Sequence, residues 1–139
     1  MRGNKMLKYL LLPPLVLAAG CASVGVYSSS YVGQGITKNT AKFIANDYIR
    51  NIKRPLPPAK TTVIIQKNNV EDNFTPLFVD LLKRAGYRVI YTDQPQKQQN
   101  MGVSLLYRLT PQNDGRIMSV LQYNWSGDPS YYIRIYENK

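Results

Sequence analysis

The chain has 139 residues, with 18 Lys or Arg against eight Asp or Glu, a formal net charge of +10, no histidine and one cysteine. Without histidine it lacks the usual general base near neutral pH and the imidazole ligand of many metal sites. A single cysteine excludes an internal disulfide and a zinc site built from several thiolates. The composition therefore argues against an enzyme, and we expect no catalytic residue and no metal site.

The N-terminal segment has the composition of a secretory signal peptide. Basic residues at positions 2, 5 and 8 precede an apolar run over 10–17, and small residues follow up to position 20. This order of basic, apolar and small residues is typical of a cleaved leader. The run is shorter than the roughly 20 residues that a helix needs to cross a bilayer. We therefore predict a signal peptide over residues 1–20.

The only cysteine, Cys21, follows this leader directly. The residues before it resemble a bacterial lipobox, although its usual leucine stands one place earlier here; they are Leu17, Ala18, Ala19 and Gly20. In such a motif the cysteine becomes the first mature residue and carries covalent diacylglycerol and an N-acyl chain, which would be the only cofactor. One acyl chain binds a membrane reversibly, and two or three make a stable anchor. The alternative is a cysteine without a role in a cleaved leader.

Ala22 indicates the membrane to which such a lipoprotein is sorted. Aspartate at this position commonly retains lipoproteins in the inner membrane, so the resemblance implies the outer membrane, with the domain on its periplasmic face. The mature chain would have 119 residues, 15 of them basic and eight acidic, for a net charge of +7. This length suits one domain of modest size. The charge favours anionic neighbours such as lipid head groups, lipopolysaccharide or an acidic partner.

Residues 21–36 are rich in Ser, Gly and other small residues. This composition predicts a flexible tether between the lipid and a single periplasmic domain over 37–139. Tyr27, Tyr31 and Val32 are apolar exceptions within it. Two interpretations are open for them: an extended segment that docks on a partner through backbone pairing, or part of a disordered spacer.

The next segment has the periodicity of an amphipathic helix. Apolar residues recur at intervals of three and four from Ala41 to Ile52, and Thr37 is placed to cap the first turn. Pro55 then ends the helical pattern. Basic residues occupy the remaining faces, so the helix either lies on its own domain or contacts a membrane surface or a partner.

A strand–helix–strand unit follows. The β-branched run at 61–66 predicts a strand buried on both faces, and an apolar stripe over 74–85 predicts a second helix. Glu71 and Asp72 precede that helix, where acidic side chains complement its dipole, and Gly86 ends it. A strand at 87–92 completes the unit, which makes the two strands parallel.

The C-terminal third alternates between apolar and polar residues, as strands with one solvated face do. Residues 94–100 are polar and predict a loop. Three antiparallel strands follow, separated by turns at 111–115 and 126–129. The predicted fold class is α+β: a small mixed sheet in the order α-β-α-β-β-β-β, with two helices packed on one face.

Tyrosine is abundant, with 11 residues, and several lie near arginine and the only tryptophan. Such mixtures occur on ordinary half-solvated sheets, in protein interfaces and in single-stranded nucleic-acid sites. Nucleic acid is the least favoured partner, because a periplasmic domain seldom meets it and no recognised nucleic-acid module is present. The candidate partner contacts are Tyr27, Tyr31, Val32, Trp125, Tyr132, Arg134 and Tyr136.

Four segments of the mature chain resemble the TrbH family of conjugal transfer lipoproteins. They are PPAKTTVII at 57–65, FVDLLKRAGYRV at 78–89, GVSLLYRL at 102–109 and YYIRIY at 131–136. A lipobox precedes them, as in that family. Arg134 and Tyr136 match the Ser-Arg-x-Tyr pattern of its last strand, and Ile133 replaces the serine.

The resemblance implies an outer-membrane-anchored structural lipoprotein of a conjugative type IV secretion system, which stabilises the outer-membrane core complex. The implied partners are the core subunits of that channel, in a ring-like assembly, and the membrane through the lipid. No catalytic residue is carried over from the family. The alternative function is an outer-membrane assembly or lipopolysaccharide-handling lipoprotein. A periplasmic hydrolase would need a general base that the sequence does not offer.

Overall fold

The computed structural model describes residues 29–139. Within this range the α-helices are α1 (Lys38–Ile52) and α2 (Thr75–Arg84), and short 3-10 helices span Pro58–Lys60 and Pro95–Met101. The strands are β1 (Tyr31–Val32), β2 (Thr62–Gln66), β3 (Arg88–Thr92), β4 (Val103–Ser104), β5 (Leu106–Pro111), β6 (Arg116–Trp125) and β7 (Asp128–Glu137).

The strands pair in two groups that share one extended segment of the chain. A parallel three-stranded sheet has the order β3-β2-β4, and a four-stranded sheet has the order β1-β5-β6-β7. In the second sheet β1 is parallel to β5, whereas β5, β6 and β7 are antiparallel. Only Leu105 separates β4 from β5, and its N–H donates to the Ile64 carbonyl at 3.1 Å. As a result, residues 103–111 contribute to both sheets. β2 pairs with the first part of this segment and β1 with the later part, on the same side.

α1 forms where the sequence combines a capping residue with an apolar stripe. The Thr37 hydroxyl oxygen accepts a hydrogen bond from the Thr40 N–H at 3.2 Å, which satisfies a donor that the first turn leaves free. The predicted stripe is fully buried and consists of Ala41, Ile44, Ala45, Tyr48 and Ile52. The apolar face of this helix is therefore used by its own domain, and the first of the two interpretations of the helix is correct.

α2 begins after Asp72, whose Oδ1 accepts hydrogen bonds from the N–H groups of Phe74 at 2.8 Å and Thr75 at 2.5 Å. These bonds satisfy donors that the helix itself cannot pair. The helix ends at Arg84, and Gly86 follows at a φ of +102°. Glycine adopts this left-handed conformation without the steric cost of a Cβ atom. The predicted roles of Asp72 and Gly86 at the two ends of the helix are confirmed.

One hydrophobic core joins both helices to the inner faces of both sheets. At its centre the ring of Phe74 contacts Tyr48 at 5.7 Å and Tyr107 at 4.9 Å between centroids. Burial raises the pKa of both tyrosines. Their hydroxyls remain hydrogen-bonded, Tyr48 with Ser119 and Tyr107 with Thr75. These bonds avoid the cost of about 1–3 kcal/mol for each buried polar group left unpaired.

The α+β class and the two packed helices are confirmed, and three details differ from the prediction. The single mixed sheet is divided into two pairing groups, because the strand predicted from residue 103 onward is interrupted at Leu105. Most of the predicted loop at 94–100 belongs to the 3-10 helix Pro95–Met101, which packs against β2. The last turn is shorter than 126–129, since Ser126 and Gly127, at φ of 55° and 84°, suffice to connect β6 to β7.

The domain also begins earlier than the predicted residue 37. Residues 21–28 of the predicted tether lie outside the described range, but from Ser30 to Ile36 the chain packs on the domain. The Tyr107 N–H donates to the Ser30 Oγ at 3.1 Å, and the Gly33 N–H donates to the Leu109 carbonyl at 2.8 Å. Ile36 is buried in the core. Local composition indicated a tether because it cannot show contacts with residues as far away in the chain as Tyr107, which is 77 positions from Ser30.

Candidate interaction surface

The predicted lipidation site lies outside the described residues. This also applies to the residues around it and to one candidate partner contact; the full set is Leu17, Ala18, Ala19, Gly20, Cys21, Ala22 and Tyr27. Their proposed roles in cleavage, lipidation, sorting and docking stay predictions.

Tyr31 and Val32, considered as a segment that docks on a partner, pair with the protein's own β5. Tyr31 lies opposite Arg108, and Val32 lies opposite Leu109. Val32 is half-buried and packs on the core. Tyr31 is 45% exposed, and the Arg108 guanidinium stacks on its ring at 5.0 Å from the ring centroid. Of this pair, only the Tyr31 ring is presented to solvent.

Tyr132 and Tyr136 point from β7 toward α1, where they meet Asp47. Both hydroxyls donate to the Asp47 Oδ2, at 2.9 Å from Tyr132 and 2.6 Å from Tyr136. Arg50 donates to the Oδ1 at 3.1 Å. Tyr136 is buried and Tyr132 is half-buried, so these tyrosines hold α1 on β7. Their prediction as partner contacts is corrected: alternate residues of a strand share one face, and this face of β7 is covered by the helix.

Hydrogen bonding to Asp47 outweighs the cost of burying its carboxylate. Burial alone would raise the pKa of Asp47, yet the pKa lies below its ordinary value of 3.8. The groups that lower it are, in order of effect, Tyr136, Tyr132, Arg50 and Arg134. The pKa of Tyr136 is raised, first by burial and then by its hydrogen bond to this carboxylate. Asp47 is therefore ionised at neutral pH and joins the helix to the strand.

Trp125 and Arg134 both lie on the surface, but the structure does not bring them together. Trp125 is exposed at the end of β6, beside the turn at Ser126. Arg134 is exposed on β7, and its guanidinium lies 5.7 Å from the centroid of the Tyr132 ring. Trp125 pairs with Asp128, and the six residues from there to Arg134 span about 20 Å of strand.

Sequence reasoning missed an exposed apolar surface on the four-stranded sheet, on the side away from α1. We call it the outer face, and it includes Tyr31, Leu106, Arg108, Met118, Val120, Tyr131, Ile133 and Ile135. Ile133, Ile135 and Met118 are 64%, 57% and 45% exposed. The segment YYIRIY indicated such a surface, because it has apolar residues at both odd-numbered and even-numbered positions. When one face of such a strand is covered, the apolar residues on the other face are exposed.

An open polar groove of about 730 Å³ lies between β1 and the segment that follows β2. Its charged lining residues are Lys67, Asp72 and Asp93, and Asp72 already caps α2. Across residues 29–139 no three His, Cys, Asp or Glu side chains are grouped as metal ligands. In the same range, no helix has the length and apolar character needed to cross a membrane.

The described residues therefore define a small α+β domain with an uncovered sheet face. A family model for the conjugal transfer protein TrbH matches residues 24–126, from before β1 to the end of β6. The chain belongs to the TrbH family of conjugal transfer proteins, as its sequence segments indicated. No curated protein and no solved structure gives a significant match.

Proposed function

We propose that this conjugal transfer protein is an outer-membrane lipoprotein that stabilises the core complex of a type IV secretion channel. Lipid on Cys21 would anchor it to the periplasmic face of the membrane, and its domain would bind the core subunits. The role is structural and needs no catalytic group.

The observation that carries this proposal is the position of the lipobox-like segment relative to the family domain. The segment ends at Cys21, and the TrbH match begins at residue 24. The predicted leader, the lipobox-like segment and the conjugal transfer domain therefore follow one another almost without a gap. This order supports a conjugal transfer component that is held at a membrane by its first mature residue.

The short connection would keep the domain close to the membrane. Ten residues lead from Cys21 to Tyr31, the first residue of β1, and they span at most about 36 Å when fully extended. A net charge of +7 in the mature chain favours anionic head groups or an acidic partner surface nearby. At physiological ionic strength this attraction acts over about 8 Å, so it operates only on surfaces that the anchor has already brought close.

Anchoring would favour assembly by raising the local concentration of the domain. A protein confined to one membrane plane meets other components of that plane at a high effective concentration, without any new contact. The exposed side chains available for binding core subunits include Tyr31, Trp125 and Arg134. Repeated binding around a channel would produce the ring-like arrangement that the family resemblance implies.

The test compares three forms of the full chain in cells that carry the conjugation system. They are the wild type, Cys21→Ser, which removes the lipidation site, and Ala22→Asp, which keeps the lipid and changes the sorting residue. Each is extracted from membranes and purified, and co-purifying proteins and the mass of the N-terminal peptide are determined by mass spectrometry. Plasmid transfer frequency is measured in parallel.

We expect an acylated N-terminus and co-purifying core subunits for the wild type, with loss of both for Cys21→Ser. Ala22→Asp should remain acylated, move to the inner membrane and lose the core subunits and transfer. An acylated wild type that co-purifies with lipopolysaccharide-transport proteins would support the alternative function instead. A wild type without acyl chains would refute the anchor.

A further inference from the structure

We propose that two copies of this chain associate through the open edge of β7, forming a continuous eight-stranded sheet with one shared outer face. The interface would consist of backbone hydrogen bonds between the two β7 strands, related by a two-fold axis at Ile133. This inference goes beyond the proposed function and does not depend on the lipid anchor.

The first observation is that β7 is a long edge strand with unpaired backbone groups. It spans Asp128–Glu137, and among residues 29–139 its only neighbour in the sheet is β6. The Asn138 N–H donates to the Gly115 carbonyl in the register of the β6–β7 ladder. Hydrogen-bonded pairs alternate along an antiparallel ladder, so the even-numbered residues of β7 bond to β6. The N–H and C=O groups of Tyr131, Ile133 and Ile135 therefore face the open edge.

The second observation is that, within residues 29–139, the centre of this edge strand has no proline, no lysine and no covering strand, and Arg134 is the one charged residue there. Soluble proteins commonly block such edges with proline, with lysine or with a covering segment. Here Pro129 lies near the start of β7, while the central residues with outward backbone groups are Tyr131, Ile133 and Ile135. Both isoleucines are exposed. A strand with this composition is suited to pair with another strand.

Space for a second strand is present along this edge. An open groove of about 480 Å³ is lined by residues of α1 and by consecutive residues of β7, among them Thr40, Phe43, Arg134, Ile135, Tyr136 and Glu137. The side chains of consecutive strand residues point to opposite faces of the sheet. A groove lined by the four consecutive residues 134–137 of β7 therefore lies along the edge of the strand. On the α1 side of the groove the Phe43 ring is exposed and packs edge-on against Tyr136, at 5.9 Å between centroids.

The sequence of β7 is self-complementary in one two-fold register. In an antiparallel pair, residues directly opposite each other have their side chains on the same face of the sheet. Two-fold symmetry therefore places odd-numbered residues of one β7 opposite odd-numbered residues of the other, and even-numbered opposite even-numbered. With Ile133 opposite itself, Ile135 lies opposite Tyr131 and Arg134 lies opposite Tyr132. The last pair repeats between copies the cation–π contact that Arg134 makes with Tyr132 within one copy.

The neighbouring registers are less favourable. Moving the axis one residue toward the C-terminus places Arg134 opposite Arg134, and like charges directly opposite each other are destabilising. Moving it one residue toward the N-terminus places Ile135 opposite Pro129, which lacks the N–H needed for a hydrogen bond. The register centred on Ile133 avoids both defects, and this favours a second copy over an unrelated peptide as the occupant of the edge.

Cysteine cross-linking of the full-length chain tests the register. In a Cys21→Ser background each introduced cysteine is the only thiol in the chain. Ile133→Cys places two thiols opposite each other, with Cα atoms about 5.5 Å apart, within the range of a disulfide. Met118→Cys is the matched control, since Met118 is exposed on the same outer face but lies on β6. In the proposed dimer three strand spacings separate the two Met118 residues, which places them at least about 14 Å apart.

On oxidation with copper–phenanthroline we expect a disulfide-linked dimer for Ile133→Cys and for the double variant Tyr131→Cys/Ile135→Cys. We expect none for Met118→Cys or for Ile135→Cys alone. Equal cross-linking of Ile133→Cys and Met118→Cys would indicate random collision and overturn the proposal. Cross-linking of Arg134→Cys in preference to Ile133→Cys would overturn the register.

A second experiment needs no introduced thiol and compares lysine substitutions by native mass spectrometry. Ile133→Lys places two positive charges opposite each other at the axis, and we expect it to weaken dimerisation about ten-fold or more. Met118→Lys adds the same charge to the outer face away from the edge, and we expect the dimer to persist. Circular dichroism and thermal unfolding establish that both variants are folded. A wild type that stays monomeric at every concentration, or a dimer that survives Ile133→Lys, would overturn the proposal.

Discussion

The two sheets of this domain bury their apolar residues to very different extents. In the parallel sheet Val63, Ile64 and Ile65 of β2 are all buried, on both faces of the strand. In the four-stranded sheet most apolar residues that face the helices are buried, among them Leu109, Leu121 and Tyr136, while Ile133 on the outer face is exposed. The central strand of the parallel sheet is therefore covered on both faces, with a 3-10 helix packed against it, whereas the antiparallel sheet has one face exposed to solvent.

The largest expected difference in the free energy of unfolding is between two variants, each of which replaces one isoleucine in one of the sheets. Ile64→Ala leaves a cavity in a closed layer and should lower the free energy of unfolding by about 2–5 kcal/mol. Ile133→Ala removes an exposed side chain on the outer face and should cost less than about 1 kcal/mol. Urea unfolding at one low protein concentration measures both. Similar losses for the two variants would contradict the difference between the sheets.

The contact between α1 and β7 tests the covered side of the antiparallel sheet. Asp47→Asn keeps the size of the side chain but removes the carboxylate that accepts from Tyr132 and Tyr136. Because hydrogen bonds to charged groups are strong, we expect a loss of about 1–3 kcal/mol at pH 7. The control is Asp80→Asn, in an exposed ion pair with Arg84, which should change stability by less than about 0.5 kcal/mol.

The loss caused by Asp47→Asn should depend on pH in a definite direction. The folded state lowers the pKa of Asp47 below 3.8, so protonation favours the unfolded state. The stabilisation by the carboxylate is then complete above about pH 5 and is lost as the pH falls through the folded-state pKa. Urea unfolding of wild type and variant should differ equally at pH 7 and pH 5, and the difference should shrink as the pH falls below 3.8 and through the folded-state pKa. A difference that grows on acidification would refute this role of the carboxylate.

The smallest effect concerns the junction of the two sheets, where β1 lies in tandem with β2. Ser30→Ala removes the hydroxyl that accepts from the Tyr107 N–H, and we expect a loss of about 1 kcal/mol. The neighbouring Ser29 is exposed, and Ser29→Ala should change nothing measurable. Hydrogen exchange at the Tyr107 amide, together with urea unfolding, separates the two variants. Identical exchange in both would mean that residue 30 belongs to the tether.

The two helices could be predicted from the sequence because their signals are local. The apolar stripe of α1, the Thr37 cap and the acidic start of α2 all involve residues three or four positions apart, and each was found where expected. The candidate site was less predictable. Tyr31, Tyr132 and Tyr136 were selected by residue type, yet two of them hold α1 on β7, and the Tyr31–Val32 backbone pairs with β5.

The sequence by itself determined the helices, the predicted leader, the lone cysteine and the family segments, because these are properties of short stretches of chain. The tertiary structure alone decided that β1 belongs to the domain, since its partner β5 is far away in the chain. It also decided which face of β7 is covered. Alternation divides the residues of a strand into two sets, but only the packing of α1 shows that Tyr136 is inside and Ile133 is outside.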